Sequence, residues 1–226
     1  MPIQKKWLAS GSSYATPYYD FQTRRKGPSV MVVAGIHGNE TASIQAAKQL
    51  VDRLYSQELA LKKGRLVIVP LVHQTAYRQR IRGIPDLNRT FPRKSGNKAS
   101  HPLSAALYQL AVRIGPTWYV DMHEANGLSQ INPERLGQTL ITQPGSRAVP
   151  DLRGLIRSLN RTIPVKSRRF NLRLHELPGS SRTAVARVLK SRAVTVETCW
   201  SLDKAERVRY QFDVVSGILT IAGLLK

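Results

Sequence analysis

A histidine and a glutamate three residues apart, in His37-Gly-Asn-Glu40, follow directly on the short apolar run from Val30 to Ile36. That run reads as a buried strand, and Thr41 to Leu54 beyond it places Ile44, Ala47, Leu50, Val51 and Leu54 at helical spacing. The pair therefore sits in a strand-to-helix turn, at the carboxyl end of a strand, where open α/β sheets bind ligands. In such a turn the two side chains can point the same way and share one metal ion, with Gly38 relieving crowding. Taken alone, the tetrapeptide fits equally well a helix-start histidine followed by an ordinary first-turn acid, which the helix dipole favours.

A second buried strand, Trp118 to Met122, leads through Asp121 to His123. Residues two apart on a strand face the same side, so Asp121 and His123 reach one crevice. Joined to His37 and Glu40, His123 completes two imidazoles and one carboxylate, a catalytic zinc set that leaves a fourth position for water. The single cysteine, Cys199, excludes both an internal disulfide and a cysteine-built structural zinc site. One zinc ion per chain, held by His37, Glu40 and His123, is the expectation.

Two further clusters carry polar residues where apolar ones are the norm. Asp86-Leu-Asn-Arg-Thr-Phe-Pro92 follows Arg78, Arg80 and Arg82, and Arg89 has the planar fork that grips a substrate carboxylate through two parallel hydrogen bonds. Thr195-Val-Glu197-Thr-Cys199 sets an acid in a β-branched run, where acids are uncommon unless paired or functional.

The elements that must position these residues alternate. Arg65 to Leu71 reads as another strand, Leu103 to Ile114 as a helix, Leu140 to Thr142 as a strand and Val149 to Leu159 as a helix. A strand near Ala193 to Val196 and a closing helix from Lys204 to Leu225 complete the series. The predicted fold is a single α/β domain over residues 1–226, with a mixed, mostly parallel sheet and helices on both faces. Val72 to Ser100 and Thr162 to Arg182 have little apolar periodicity and read as long loops, which are usually functional in a compact domain.

In this order the clusters resemble the zinc carboxypeptidase superfamily, especially its succinylglutamate desuccinylase and aspartoacylase branch and the related murein peptide amidase. The resemblance spans residues 37 to 197, from the His-x-x-Glu pair through the Asp-x-Asn-Arg string and the distant His to the late glutamate. It implies that Glu197 is the base that activates water, that Asn88 and Arg89 hold the substrate's free carboxylate, and that Asp86 orients a ligating histidine, an outer role that Asp121 also suits. It further implies an arginine at the oxyanion, for which Arg80 and Arg82 both have compatible spacing. In the stretch His175-Glu-Leu-Pro-Gly-Ser180, His175 stands near the place of a mobile tyrosine in peptide-cleaving members and can donate a hydrogen bond or a proton there. The sequence ends soon after Glu197, where the deacylases continue into a C-terminal β domain, and this implies an open cleft and a larger substrate. The implied activity is zinc-dependent hydrolysis of an amide bond in an acylated amino acid or a short peptide with a free carboxylate, cell-wall peptides among them.

Charge agrees with an anionic partner. The 226 residues carry 35 Lys plus Arg against 14 Asp plus Glu, a net +21, which attracts acidic substrates and cell-wall polymers as well as nucleic acid. A nucleic-acid-binding module is the first rival reading, but clusters such as Arg24-Arg25-Lys26 and Lys166-Ser-Arg-Arg169 lack the interleaved aromatics that stack bases. A thiol hydrolase using Cys199 with His175 or His123 is the second, set against the commoner role of a lone strand cysteine as a core residue. No segment approaches the roughly 20 apolar residues that span a bilayer. Met1 to Trp7 is followed by Ser, Gly and Tyr rather than the apolar stretch of a signal peptide, so the sequence as it stands reads as cytoplasmic, or extracytoplasmic if a leader has been removed.

Overall fold

A computed structural model describes residues 3–225 of the chain. Its centre is a block of four parallel strands, β3 (Ser29–Ala34), β4 (Arg65–Val69), β5 (Trp118–Ala125) and β8 (Arg192–Cys199), in the spatial order β4-β3-β5-β8. These strands read as apolar runs because both of their faces are buried. On β3, Val30 and Val32 join one core cluster, whereas Met31 and Val33 join the other. The first cluster is covered by α1 (Thr41–Tyr55), α4 (Val149–Thr162) and α6 (Lys204–Ile221), and the second by α3 (Pro102–Ile114) and α5 (Ser181–Leu189).

Two flanks widen this block to an eight-stranded sheet, mixed and mostly parallel as the sequence predicts, with β1, β2 and β7 beyond the five strands read from it. An antiparallel hairpin of β1 (Ile3–Leu8) and β2 (Thr16–Gln22) adds to β4, while β6 (Thr139–Thr142) runs antiparallel beside β8 and carries β7 (Asn171–Leu174) at the other edge. The region Val72 to Ser100 is more structured than its composition predicts. It holds the short helix α2 (Gln74–Gln79) and a 3-10 turn over Leu87–Arg89. Helix α2 buries only Ala76, so it leaves no apolar period in the sequence. Thr162 to Arg182 likewise contains the 3-10 turn Lys166–Arg168, β7 and the start of α5.

The hairpin is tied to the block by charge. Asp20 on β2 is buried and accepts hydrogen bonds from Arg65 Nε (2.8 Å) and Nη2 (2.7 Å) on β4 and from Lys6 Nζ (3.0 Å) on β1. Burial by itself would raise the Asp20 pKa, but Arg65 and Lys6 outweigh it and hold the carboxyl below the usual aspartate range. Asp20→Asn should therefore lower stability by about 1–3 kcal/mol at neutral pH, as read by urea unfolding. Because the folded-state pKa is depressed, the contribution is complete above the unfolded value near 4 and fades as pH falls through the folded value. A gap between wild type and variant that persisted unchanged to pH 2 would place the stabilisation elsewhere.

Candidate metal centre and adjoining pocket

The site lies at the carboxyl ends of β3, β5 and β8. Beyond β3 the chain turns sharply at Gly35 (φ +69°) and passes so close to α2 that a Cβ on Gly38 would lie 2.0 Å from the Ala76 carbonyl carbon. The turn delivers His37 and, at the mouth of α1, Glu40. Glu40 turns its side chain to the histidines and does not cap the helix; Glu124 of β5 does so, accepting from the Ala42 N–H at 2.8 Å while paired with Arg207 at 2.5 Å. On β5, His123 is the register partner of Glu197 on β8, which sets these two residues side by side.

His37 Nδ1, His123 Nδ1 and the Glu40 carboxylate converge, with 2.7 Å from His37 to Glu40 Oε1, 2.9 Å from His123 to Glu40 Oε2 and 3.2 Å between the two ring nitrogens. All three residues are buried, and their ligand atoms lie within 4.8 Å of one another. The outer nitrogen of each ring faces a second carboxylate. His37 Nε2 is 3.0 Å from Asp86 Oδ1, and His123 Nε2 is 3.0 Å from Asp121 Oδ1. At His37 the contact is a hydrogen bond that fixes the ring and favours the tautomer turning its Nδ1 lone pair inward, whereas Asp121 Oδ1 faces His123 Nε2 at ion-pair distance. Two lone pairs and a carboxylate then point at one spot, an arrangement stable only with positive charge between them, either protons or a metal ion. The donor set therefore fits a metal, and two imidazoles with one carboxylate suit zinc with an open position.

The electrostatics follow from this crowding. Burial disfavours an ionised Glu40, but His123 and His37 outweigh it and bring its pKa down to about 2. Burial also disfavours a charged His123, yet Asp121 and Glu40 prevail and raise its pKa well above the ordinary histidine value. Glu197 differs. Burial pushes its carboxyl up to about 8, with Glu40 and Asp121 adding repulsion that His123 and Arg82 only partly offset, and its Oε2 has no hydrogen-bond partner.

The Asp-Leu-Asn-Arg string forms the 3-10 turn beside the metal ligands. Asp86 Oδ1 accepts from the Asn88 N–H (2.9 Å) as well as facing His37, so one carboxylate both caps the turn and holds the ring. Asn88 Oδ1 accepts from the Ser181 N–H (2.9 Å) at the start of α5, and the Ser181 hydroxyl donates to Asp121. The loop carrying Gly179 packs against Arg89, where a Cβ on Gly179 would meet the Arg89 carbonyl oxygen at 2.7 Å. The turn, α5 and β5 thus form one polar scaffold.

A cavity of about 370 Å³ opens beside this scaffold, lined among others by Asn88, Arg89, Ile141, Arg182, Thr195 and Glu197. Arg182 is the residue that the sequence did not disclose. It is 2% exposed, donates through Nε to Thr195 Oγ1 (3.1 Å) and through Nη2 to the His175 carbonyl (2.9 Å), and leaves Nη1 without a partner. Burial lowers its pKa to about 10, so it remains a cation at neutral pH. Nothing in the sequence separates Arg182 from the many other basic residues; its burial arises only when α5 packs on the sheet.

Of the two oxyanion candidates, Arg82 lies at the centre, with Nη2 3.1 Å from Asp86 Oδ2 and Nη1 3.8 Å from Glu40 Oε1. Arg80 ends α2 in a left-handed conformation (φ 57°) and stacks on Tyr77 at 4.4 Å, which takes its guanidinium out of the cluster. His175 lines the pocket. Cys199 is fully buried, and the hydrogen-bond partner of its sulfur is Ser201 Oγ at 3.1 Å, with no histidine in the pair.

The succinylglutamate desuccinylase/aspartoacylase catalytic domain matches residues 26–139. A succinylglutamate desuccinylase of Pseudomonas paraeruginosa is 39% identical over 98 residues, which is 41% of this chain and 28% of that protein. By fold, the chain superposes on Helicobacter pylori Csd4, a D,L-carboxypeptidase solved with mDAP bound, at a TM-score of 0.73 and 20% identity over 88% of this chain and 51% of that one. An aspartoacylase family protein of Mesorhizobium loti gives a TM-score of 0.69 at 20% identity, over all of this chain and 68% of that one. The matched stretch is thus well under half the length of the desuccinylase. No helix among the described residues is long and apolar enough to cross a membrane. With the catalytic-domain match running from before His37 to beyond His123, and the fold shared over nearly the whole chain, this protein belongs to the succinylglutamate desuccinylase/aspartoacylase family.

Proposed function

We propose that the chain is a zinc-dependent hydrolase that cleaves the amide bond of an acylated amino acid or short peptide whose amine half carries carboxylates. The observation that supports this most is the union, in one pocket, of Glu197, whose Oε2 has no partner, with three arginines, among them Arg89 at the rim and Arg182 on the inside. Asn88 and Arg89 hold the α-carboxylate of the amine half. Arg182, with a free N–H buried in the cavity wall, takes a second acidic group on the same residue, since a buried donor left unpaired is costly and a carboxylate satisfies it.

A zinc ion held by His37, Glu40 and His123 would supply Lewis acidity at the carbonyl and lower the pKa of water there. Glu197 takes the proton of the attacking water and passes it to the leaving amine. Arg82, beside Glu40, is the arginine placed to face the negative charge that develops on the carbonyl oxygen. His175 stands on the pocket wall, where its imidazole donates a hydrogen bond to the substrate. Cell-wall peptides with free carboxylates fall within this class, and the net charge of +21 favours such polymers.

The test is hydrolysis of N-acetyl-glutamate, N-acetyl-glutamine and a murein tripeptide by the zinc-loaded protein. Arg182→Met should reduce kcat/KM for N-acetyl-glutamate about 10- to 100-fold, because a charge-assisted hydrogen bond is lost, and should change N-acetyl-glutamine far less. Arg89→Lys should raise KM for all three, since the bidentate grip on the α-carboxylate goes. Equal turnover of the glutamate and glutamine substrates by wild type would remove Arg182 from recognition.

A further inference from the structure

Ser181, the first residue of α5, is fully buried, and its polar groups are turned away from its own helix. The helix is capped one residue earlier, where Ser180 Oγ accepts from the Thr183 N–H at 3.3 Å. The Ser181 hydroxyl donates to Asp121 Oδ2 on β5. Its N–H, one of the donors that a helix start leaves free, donates to Asn88 Oδ1 in the 3-10 turn at 2.9 Å. One residue thus bonds to two separate elements of the site.

The hydroxyl decides how Asp121 stands. Asp121 is 0% exposed, and among the described residues its side chain takes its hydrogen bond from Ser181, at Oδ2, while Oδ1 faces His123 Nε2 at 3.0 Å. With Oδ2 fixed, Oδ1 is the oxygen left for the ring. A carboxylate free to rotate would hold the imidazole less firmly, and this outer contact is what orients a ligating histidine.

The N–H decides how Asn88 stands. An N–H only donates, so the Asn88 atom that it meets is the oxygen, and the amide nitrogen is turned to the site. That nitrogen lies 3.5 Å from His123 Nε2, and Asn88 lines the Glu197 pocket. Asn88 is thereby locked as a donor, the polarity that a substrate carboxylate requires.

We infer that Ser181 is a positioning residue that aligns the metal ligand His123 and the carboxylate clamp at Asn88 through two independent groups, its hydroxyl and its backbone N–H. The inference rests on the hydrolase reading, which supplies the ligand and the clamp.

Two substitutions separate the groups. Ser181→Ala removes the hydroxyl and keeps the N–H. Ser181→Pro removes both, at a place that tolerates proline, because the first helical position has no internal partner for its N–H and Ser180 before it is extended (φ −85°, ψ 153°). Zinc affinity, measured against a chromogenic chelator, should fall about 10-fold in both variants, the lower end of what loss of an outer contact costs. Calorimetric binding of N-acetyl-glutamate to the zinc-loaded protein should be about 5- to 10-fold weaker in Ser181→Pro than in Ser181→Ala, as for one further hydrogen bond lost. Asn88→Asp checks the same point without touching α5, since the carboxylate still accepts from Ser181 but presents an oxygen to the site, and binding should fall by at least as much. Ser180→Ala is the structural comparison: it strips the cap of α5 and should lower the melting temperature while zinc affinity changes by less than about twofold. If Ser181→Ala lowers the melting temperature and leaves zinc affinity at the wild-type value, the hydroxyl serves stability alone and the alignment of His123 is overturned. Equal binding of N-acetyl-glutamate by the two Ser181 variants overturns the alignment of Asn88, and so does wild-type binding by Asn88→Asp. A wild type that takes up no zinc, or that binds no N-acetyl-glutamate when loaded, removes the ligand set or the clamp itself, and the corresponding half of the inference with it.

Discussion

Glu197→Gln should lower kcat about 10²- to 10⁴-fold, the usual contribution of a general base, while zinc content and melting temperature stay at wild-type values or rise slightly. The side chain is buried at the carboxyl end of β8, its Oε2 has no protein partner, and burial has already pushed its pKa up to about 8 in the metal-free protein. A glutamate kept for structure would show the reverse pattern, because removing one member of a buried pair strands the other and is strongly destabilising. Glutamine keeps the volume and removes a carboxyl whose ionised form burial disfavours and His123 and Arg82 only partly offset, so stability has little reason to fall. The three proposed ligands do not include Glu197, and the metal therefore remains. Zinc content, thermal melting and turnover of N-acyl amino acids on one preparation of the variant decide the matter. Wild-type-like turnover would remove Glu197 from the reaction, and an active but unstable variant would make it a structural acid.

The parts of the molecule that were legible in the sequence are those where one physical demand dominates. Strands β3, β4, β5 and β8 must be apolar on both faces, and their runs stand out for that reason. The β1 edge has no such demand; Gln4 and Lys5 are exposed, and its sequence carries no clean alternation. Strand β7 is only half-buried along Asn171–Leu174 and was hidden inside a region that reads as a loop. The site divides in the same way. Histidines are scarce, five in the chain, so two of them beside carboxylates at strand ends are conspicuous. Arginines are abundant, and what distinguishes Arg182 from its neighbours is a burial created by tertiary packing. Arg80 and Arg82 are equivalent by spacing; they part only because α2 ends at Arg80 in a left-handed turn that sends one guanidinium to Tyr77 and leaves the other beside Asp86.

Zinc binding should release protons, and His37→Ala or His123→Ala should abolish retention of the metal through dialysis. In the metal-free protein Asp121 and Glu40 raise the His123 pKa well above the ordinary value in spite of burial, so this ring holds its proton at neutral pH. A ligating imidazole must give that proton up. Glu40, with a pKa brought down to about 2 by the same histidines, is already ionised and contributes no proton above pH 4. Release of the His123 proton is therefore expected near pH 7, together with that of Glu197, whose carboxyl stands at about 8 without the metal, to the extent that the cation ionises it. The affinity should weaken by about tenfold or more for each unit that pH falls while these groups are displaced. Calorimetric titration of zinc in buffers of different ionisation enthalpy counts the protons without any reference to turnover. Asp121→Asn tests the cause separately. The amide no longer holds a positive ring, so His123 loses its proton more readily and release per zinc should drop, yet the ligand is less well oriented and affinity should fall about 10- to 100-fold. Full metal retention in both histidine variants, or zinc uptake with no proton released in any buffer, would mean that the ion sits elsewhere and that His37, Glu40 and His123 are joined by protons alone.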